Sequence, residues 1–462
     1  LNQLPFSTLP LHPDLLHNLV SIGYESMTPI QAESLPHMLA GKDLIAQGKT
    51  GSGKTAAFGL GLLSRLDAGR SQVQALVLCP TRELADQVAN ELRKLARRLA
   101  NIKVLTLCGG MPLRAQIASL EHGAHIIVGT PGRIEDHLGR GTLKLDCLSV
   151  LVLDEADRML EMGFQSALDV IIAQTPRARQ TLLFSATFPA QIQSIAGRIM
   201  RDPVQVRVES THDHSSIRQH FYKVADETER MLALRLLLLE HRPESTVVFC
   251  NTRREVGEVT DELVRHGFSA LALTGELEQR DRDQTLVRFA NKSVSILVAT
   301  DVAARGLDID ALDAVINYHL AQDSELHVHR IGRSGRAGSQ GFACTLYCER
   351  DGLRIVQLED CLARTIVDEA LPPRSVLQRP VMQPKMATLQ IGAGKKQKIR
   401  PGDILGALTG DGGISGVQVG KIYMHDNRAY VAVARAVVAA ALAKLDGGKL
   451  KGKTCRARLI SG

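Results

Sequence analysis

Val150-Leu-Val-Leu-Asp154-Glu155-Ala156-Asp157 is an apolar run that ends abruptly on carboxylates. Four consecutive aliphatic residues read as a strand buried on both faces, the pattern of a parallel sheet. In such a sheet ligands bind beyond the carboxyl ends of the strands, so the acids face a site and not the core. One carboxylate can hold a magnesium ion and its neighbour can orient a water. The phosphate such a pair would act on has its cradle earlier in the chain. Leu44-Ile-Ala46 reads as a short strand, and Gly48, Lys49, Thr50, Gly51, Ser52, Gly53, Lys54 and Thr55 fit G-x-x-x-x-G-K-[ST]. Residues 56–63 continue at helical spacing. Glycines let backbone N–H groups close around phosphate oxygens at the helix N-terminus, Lys54 reaches the outer phosphates, and the Thr55 hydroxyl is placed for the metal.

Size and charge bound the rest. A chain of 462 residues, 44% apolar and 23% charged, has room for about three globular domains. No run of eighteen apolar residues occurs, and the apolar stretch 429–445 is broken by Arg435, so no membrane span or membrane partner is expected. Leu1 to Phe6 lacks a charged segment followed by an apolar one, so secretion is not expected. The eight cysteines are scattered without a C-x-x-C pair, and Cys344 and Cys348 lie in an alternating apolar run, which suits buried thiols in a reducing, cytoplasmic setting. Residues 385–462 carry 14 Lys+Arg against 4 Asp+Glu, a net of +10 that leaves −3 for the remainder. A basic tail on a near-neutral body points to a polyanion, nucleic acid above all.

Short apolar strands alternate with amphipathic helices along the first half: residues 75–79, 104–107, 125–128, 150–153, 181–184 and 204–208. The alternation predicts a doubly wound parallel sheet. Several strands run into turns of small, hydroxyl or basic residues: Pro80-Thr81-Arg82, Gly109-Gly110, Thr130-Pro131-Gly132-Arg133 and Ser185-Ala186-Thr187. Such turns suit a sugar–phosphate backbone. Upstream, Gln31 offers the donor and acceptor that an adenine edge needs, and Phe6 offers a flat face to stack on. After a polar linker, 209–216, the alternation resumes with strands at 246–250, 295–298, 314–318 and 342–348. This half has no phosphate loop but carries residues 299–308 and the arginine-rich turn His329-Arg330-Ile-Gly-Arg333-Ser-Gly-Arg336. Arginines three apart in a glycine-bearing turn can serve as fingers toward a nucleotide held elsewhere.

The ordered set from the Gln31 segment through Gly48–Thr55, Asp154–Asp157 and Ser185–Thr187 to 299–308 and 329–336 resembles the DEAD-box RNA helicases over residues 6–350. The resemblance implies two RecA-like domains, 1–208 and 217–370, with ATP and RNA bound across the cleft between them. It implies that Phe6, Thr28 and Gln31 select adenine, that Lys54 and Thr55 hold phosphates and Mg2+ with Asp154 behind the metal, and that Glu155 positions the attacking water. It implies further that Asp308 takes the ribose, Arg333 and Arg336 act as fingers, His329 bridges to the first domain, and Ser185 and Thr187 couple ATP state to RNA grip. Pro80, Thr81, Arg82, Gly110, Thr130, Gly132 and Arg133, with Thr252, Gln279, Arg282, Thr300 and Arg305, fall in its RNA-facing motifs. Where the family has His-Gly-Asp this chain has Thr274-Gly275-Glu276, so no contact is assigned to Thr274.

A second Pro-bearing linker, 371–384, leads to the basic tail, 385–462. Strands at 387–391, 420–424, 428–433 and 454–460, with helices opening at Pro401 and spanning 434–445, give the β-α-β-β-α-β order of a ferredoxin-like RNA-recognition domain. Tyr423 and Tyr430 are its only aromatics, too few to stack bases across a sheet. RNA binding is therefore expected on basic loops: Lys395, Lys396, Lys398 and Arg400, with Lys449, Lys451 and Lys453. The tail resembles that of the bacterial DbpA subfamily of these helicases. This implies an RNA-dependent ATPase directed to a hairpin of large-subunit ribosomal RNA in pre-ribosomal particles; a monomer is expected. An ATP-gated RNA clamp and a DNA-directed motor remain as alternatives at this point.

Overall fold

The structure, a computed structural model, describes residues 4–48, 51–188, 190–208, 217–304, 312–334 and 341–460. The chain divides near residue 212 into two compact units. In the first, seven strands of mostly aliphatic residues form one sheet: β1 (Leu44–Gln47), β2 (Ala75–Leu78), β3 (Val104–Leu107), β4 (Ile126–Gly129), β5 (Val150–Asp154), β6 (Gln180–Ser185) and β7 (Val204–Arg207). Their order is β3-β4-β2-β5-β6-β1-β7, and every pairing is parallel. Helices bury an apolar cluster on each face, one around Phe58, Val77 and Phe184 and the other around Leu76, Leu151 and Leu183. The Phe58 and Phe184 rings meet at 5.2 Å between centroids.

Register places the functional ends. Gln47 pairs with Ser185 across β1 and β6, and Asp154 pairs with Phe184 across β5 and β6. The phosphate-loop entry, the acidic segment and the Ser-Ala-Thr turn therefore leave adjacent strands at one level.

The second unit contains a six-stranded parallel sheet of β8 (Arg218–Lys223), β9 (Thr246–Phe249), β10 (Ala270–Leu273), β11 (Ile296–Ala299), β12 (Ala314–Asn317) and β13 (Phe342–Tyr347), ordered β10-β11-β9-β12-β13-β8. The expected strands omit β8 and β10, both at sheet edges. Burial of β8 is partial, so polar residues such as Arg218 and Gln219 are tolerated there, whereas β10 is a run of only four residues, all of them apolar.

The tail is a separate antiparallel sheet of β14 (Met386–Ile391), β15 (Val419–Met424), β16 (Ala429–Ala434) and the later short strand Ala457–Leu459, in the order β15-β16-β14-β19 once β17 (Lys449–Leu450), β18 (Lys453–Thr454) and β19 (Ala457–Leu459) are numbered. The single strand expected at 454–460 is thus two, because the chain changes partners: β18 pairs with β17, while β19 pairs with β14. The expected helix at 434–445 also begins later. Ala434 still pairs in β16, residues Arg435–Val437 make one tight turn, and the helix runs Val438–Gly447.

Residues 371–384 lie against the second sheet's domain. Leu371, Leu377 and Val381 pack on its core, Arg379 pairs with Glu240 at 2.6 Å, and Gln383 Nε2 donates to the Gly267 carbonyl. Thr388, fully buried on β14, receives the Asn291 side-chain N–H at 3.1 Å and lies 2.7 Å from the Ser293 hydroxyl. The tail is mounted on the second domain through its own sheet. All eight cysteines are free thiols. Among the described residues no helix is long and apolar enough to cross a membrane.

Phe184→Ala should remove the centre of the first unit's core and lower its stability by about 3–5 kcal/mol. Denaturant unfolding followed separately in the two units checks this, with the second unit's transition expected to stay in place.

Candidate functional site

The Gln31 segment abuts the phosphate loop. Thr28 starts the helix Pro29–Leu39, and its backbone N–H donates to Gln31 Oε1 at 2.9 Å, while Gln31 Nε2 donates to the Gly53 carbonyl at 3.1 Å. Gly53 sits at φ +95°, and a Cβ there would lie 2.6 Å from Gln31 Nε2 and 2.9 Å from Thr28 Oγ1, so only glycine fits. Both hydrogen-bonding ends of Gln31 are thus engaged by protein. Phe6 is only 3% exposed and packs edge-on against Tyr24. The flat face expected to stack on a base is in the core, because this aromatic is the apolar plug beneath the N-terminal segment.

Lys54 opens the helix Lys54–Leu63 and folds back so that its ammonium donates to the Gly48 carbonyl. Thr55 follows it in the first helical turn, half-buried. Gly51 and Ser52 complete the described part of the loop; Lys49 and Thr50 lie outside the described residues. Asp154 is 3% exposed at the end of β5. Burial, with the Glu155 charge next to it, pushes its carboxyl up to about 7, and Lys54 pulls the other way. Glu155 adopts φ +51°, a left-handed conformation that costs a non-glycine residue about 1–3 kcal/mol and commonly marks a functional turn. Its N–H donates to Asp154 Oδ1 at 3.1 Å.

Asp157, equally buried, accepts from both the backbone N–H and the hydroxyl of Thr187, each at 2.9 Å. Ser185 closes the arrangement: its carbonyl accepts from the Gly48 N–H at 3.1 Å, and its hydroxyl is buried with no hydrogen-bond partner among the described residues. Hydrogen bonds therefore tie the acidic segment and the phosphate loop to the Ser-Ala-Thr turn.

At the same end of the sheet, the turns after β2, β3 and β4 converge. Pro80 leads into Thr81, which caps the helix Arg82–Leu95, and Arg82 Nη2 donates to Met111 Sδ at 3.0 Å. Arg133 Nη1 donates to the Met111 carbonyl at 3.0 Å. Gly110, at φ +72°, lets the intervening loop turn. Thr130 precedes the helix Pro131–Gly139, which carries Gly132 and Arg133 in its first turn.

In the second unit Thr252 caps the helix Arg253–Arg265 and is exposed. Gln279 holds Asp283 at 2.7 Å, Arg282 is 9% exposed with Nη2 on the Ala303 carbonyl at 2.8 Å, and Thr300 accepts from the Ala303 N–H. Arg282 thus braces the helix Asp301–Ala304 instead of standing open. His329 and Arg333 are half-buried near the end of the helix Ser324–Ile331. Arg305, Asp308 and Arg336 lie outside the described residues.

On the tail, Thr388 faces the second domain, and its cross-strand neighbour Ala432 and the next outward residue, Tyr430, are each 1% exposed. The centre of that sheet face is buried, while Tyr423, opposite Tyr430, is half-buried and Arg458 on β19 is exposed. The basic loops meet at one edge, where Lys395, Lys396, Lys398 and Arg400 are exposed. Lys451 bridges to them, donating to the Lys398 carbonyl at 2.8 Å and pairing with Asp403 at 3.2 Å, while Lys396 pairs with Asp426 at 3.7 Å. Lys449 and Lys453 bracket this hairpin, their side chains outside the described residues.

Family models match three consecutive parts of the chain: DEAD/DEAH box helicase over residues 28–195, helicase conserved C-terminal domain over 229–338, and DbpA RNA binding domain over 388–459. The chain is 56% identical to the ATP-dependent RNA helicase DbpA of Escherichia coli (strain K12), over 98% of this chain and 99% of that protein. It belongs to the DEAD-box RNA helicases, in the DbpA subfamily. As such it is an ATP-dependent RNA helicase, with two RecA-like domains and an RNA-binding tail. The DEAD-box helicase CshA of Bacillus cereus is 43% identical over 79% of this chain and 71% of its own. The fold of Saccharomyces cerevisiae Dbp5, bound to RNA and ADP BeF3, matches with a TM-score of 0.71 at 28% identity, covering 79% of this chain and 95% of that one.

One residue of this helicase's arginine-rich turn escaped the sequence reading. Arg330 is 1% exposed and binds Asp301 through two 2.7 Å contacts, Asn251 at 3.1 Å and the His319 carbonyl at 2.8 Å, over the Phe249 ring. It joins the ends of β9, β11 and β12. The signal was its alternation with the turn's other arginines, which sequence alone does not divide into outward and inward. Asp301→Ala should strand this buried guanidinium and lower the second unit's stability by about 3–5 kcal/mol, measured by denaturant unfolding.

Proposed function

We propose that this helicase hydrolyses ATP with the first-domain site and uses the turnover to open short RNA duplexes locally, at a hairpin of large-subunit ribosomal RNA during ribosome assembly in the cytoplasm. The observation that carries the reading is the buried Asp154, close enough to Lys54 for its charge to be felt and tied through the Asp157–Thr187 bonds to the Ser-Ala-Thr turn. Thr28 and Gln31 select adenine, with Phe6 supporting their segment from the core; Asp308 takes the ribose. Gly48 to Gly53 enclose the phosphates, and Lys54 leaves the Gly48 carbonyl to meet them.

Among the described residues no group of three or more His, Cys, Asp or Glu is set to hold a metal. A hydroxyl at Thr55 and one carboxylate at Asp154 fit Mg2+, which keeps several waters and takes few protein ligands beside nucleotide phosphates. Held there with ATP, Mg2+ would supply positive charge against the outer phosphates. Glu155, held in its left-handed turn, accepts the proton of the attacking water. Arg333 and Arg336 stabilise charge developing on the transferred phosphoryl group, and His329 links that turn to the first domain.

RNA lies along Pro80–Arg82, Gly110, Thr130, Gly132 and Arg133 of the first domain, and along Thr252, Gln279, Thr300 and Arg305 of the second, with Arg282 supporting the latter from below. A backbone gripped in one bent form excludes its complement, so strands part without long translocation. The tail recognises its target by Lys395, Lys398 and Arg400, with Lys396, Lys449, Lys451 and Lys453 on the same edge.

Glu155→Gln should leave ATP and RNA binding intact while RNA-stimulated hydrolysis falls by roughly 10²–10⁴-fold, the usual contribution of general-base catalysis. Normal turnover in that variant would remove Glu155 from the chemistry. For the target, ATPase activity across fragments of ribosomal RNA should peak on one large-subunit hairpin. A double change Lys395→Glu with Lys398→Glu should flatten that profile, and an unaltered profile would move recognition off this edge.

A further inference from the structure

The helix Leu113–Glu121, which follows the Gly109-Gly110 loop, buries one side chain below a tenth exposed, and that side chain is polar: Gln116, at 7%. Its amide is fully oriented by what surrounds it. Nε2 donates to the Cys108 carbonyl, the last residue before the glycines, at 3.0 Å. Oε1 accepts from Arg133 Nη1 at 2.7 Å and lies 3.0 Å from His137 Nε2. A carbonyl can only accept and a guanidinium can only donate, so the amide cannot be turned round without losing both. His137, fully buried, continues the chain to the Thr142 hydroxyl at 2.8 Å. Arg133 in turn holds the Met111 carbonyl at 3.0 Å, so the 109–111 loop is fixed at its start by Gln116 and at its end by Arg133.

We propose that Gln116 is a positioning residue for RNA binding, locking the loop after β3 to the turn after β4 so that both meet the RNA backbone already ordered. It touches no RNA itself. This inference rests on the reading that the 109–111 and 130–133 segments face RNA. Without Gln116 the Arg133 guanidinium loses its shortest hydrogen bond, and the loop must be ordered by RNA, at the expense of affinity. The residue lies outside every segment that the sequence reading assigned to RNA or ATP.

The test uses the full-length protein with a fluorescent single-stranded oligouridylate and a non-hydrolysable ATP analogue. Gln116→Met, close in volume but without the amide, should weaken RNA binding about tenfold, the size expected for losing a buried hydrogen bond to a charged group. ADP affinity, read on the same sample, should not change. Gln116→Glu serves should the methionine variant fail to fold: it keeps an acceptor for Arg133 and His137, loses the donor to Cys108, and should give a smaller loss of the same kind. Unchanged RNA affinity in a folded variant, or equal losses of RNA and ADP affinity, would overturn the positioning role. Arg82→Ala separates the two levels. If it weakens RNA binding while Gln116→Met does not, the positioning role alone falls; if neither does, these turns are not the RNA face and both readings fall.

Discussion

Parallel pairing of β5, β6 and β1 is the constraint on which the rest depends. Because β6 lies between the strand that ends in Asp154 and the strand that enters the phosphate loop, its own exit, Ser185 to Thr187, adjoins both. Short hydrogen bonds then complete the linkage, from Gly48 to Ser185 and from Thr187 to Asp157. Burial, with the Glu155 charge beside it, holds the Asp154 carboxyl up near neutrality, and the Lys54 charge pulls it back down.

Much of this was legible in the residues. Aliphatic runs bounded by glycine, proline and hydroxyl residues located the central strands, since strands buried on both faces leave no choice of side chain. The edge strand β8 was not legible for the converse reason: half-buried positions accept Arg218, Gln219 or His220 as readily as valine, while β10, Ala270-Leu-Ala-Leu273, is apolar but only four residues long. The phosphate loop and acidic segment could be found because their chemistry demands particular residues at fixed spacing. Phe6 shows the limit of that logic, since an aromatic reads alike whether it stacks on a base or fills a core. Arg282, Arg330 and Gln116 show another. A polar side chain turned inward to bind backbone or other side chains has the same sequence signature as one turned outward to a ligand, and only tertiary packing separates them.

The tail illustrates how one surface can be closed by design of the whole chain. Its sheet has few aromatics, and Thr388 on that sheet bonds to Asn291 and Ser293 of the second domain. The sparse aromatic content and the covered face are two aspects of one arrangement. The 395–400 loop meets the 449–453 hairpin at the edge of the tail, with Lys451 bracing the loop at Lys398 and Asp403. A domain mounted in this way is held in a defined relation to the second sheet.

Coupling between nucleotide turnover and strand opening is the central claim, and simultaneous measurement of both in one reaction tests it most directly. A short labelled RNA duplex attached to a ribosomal hairpin, with phosphate release and strand release followed together, should show strands parting only while ATP is present and in step with its turnover. Brisk phosphate release with the duplex left whole would contradict the account and leave an ATP-timed clamp in its place.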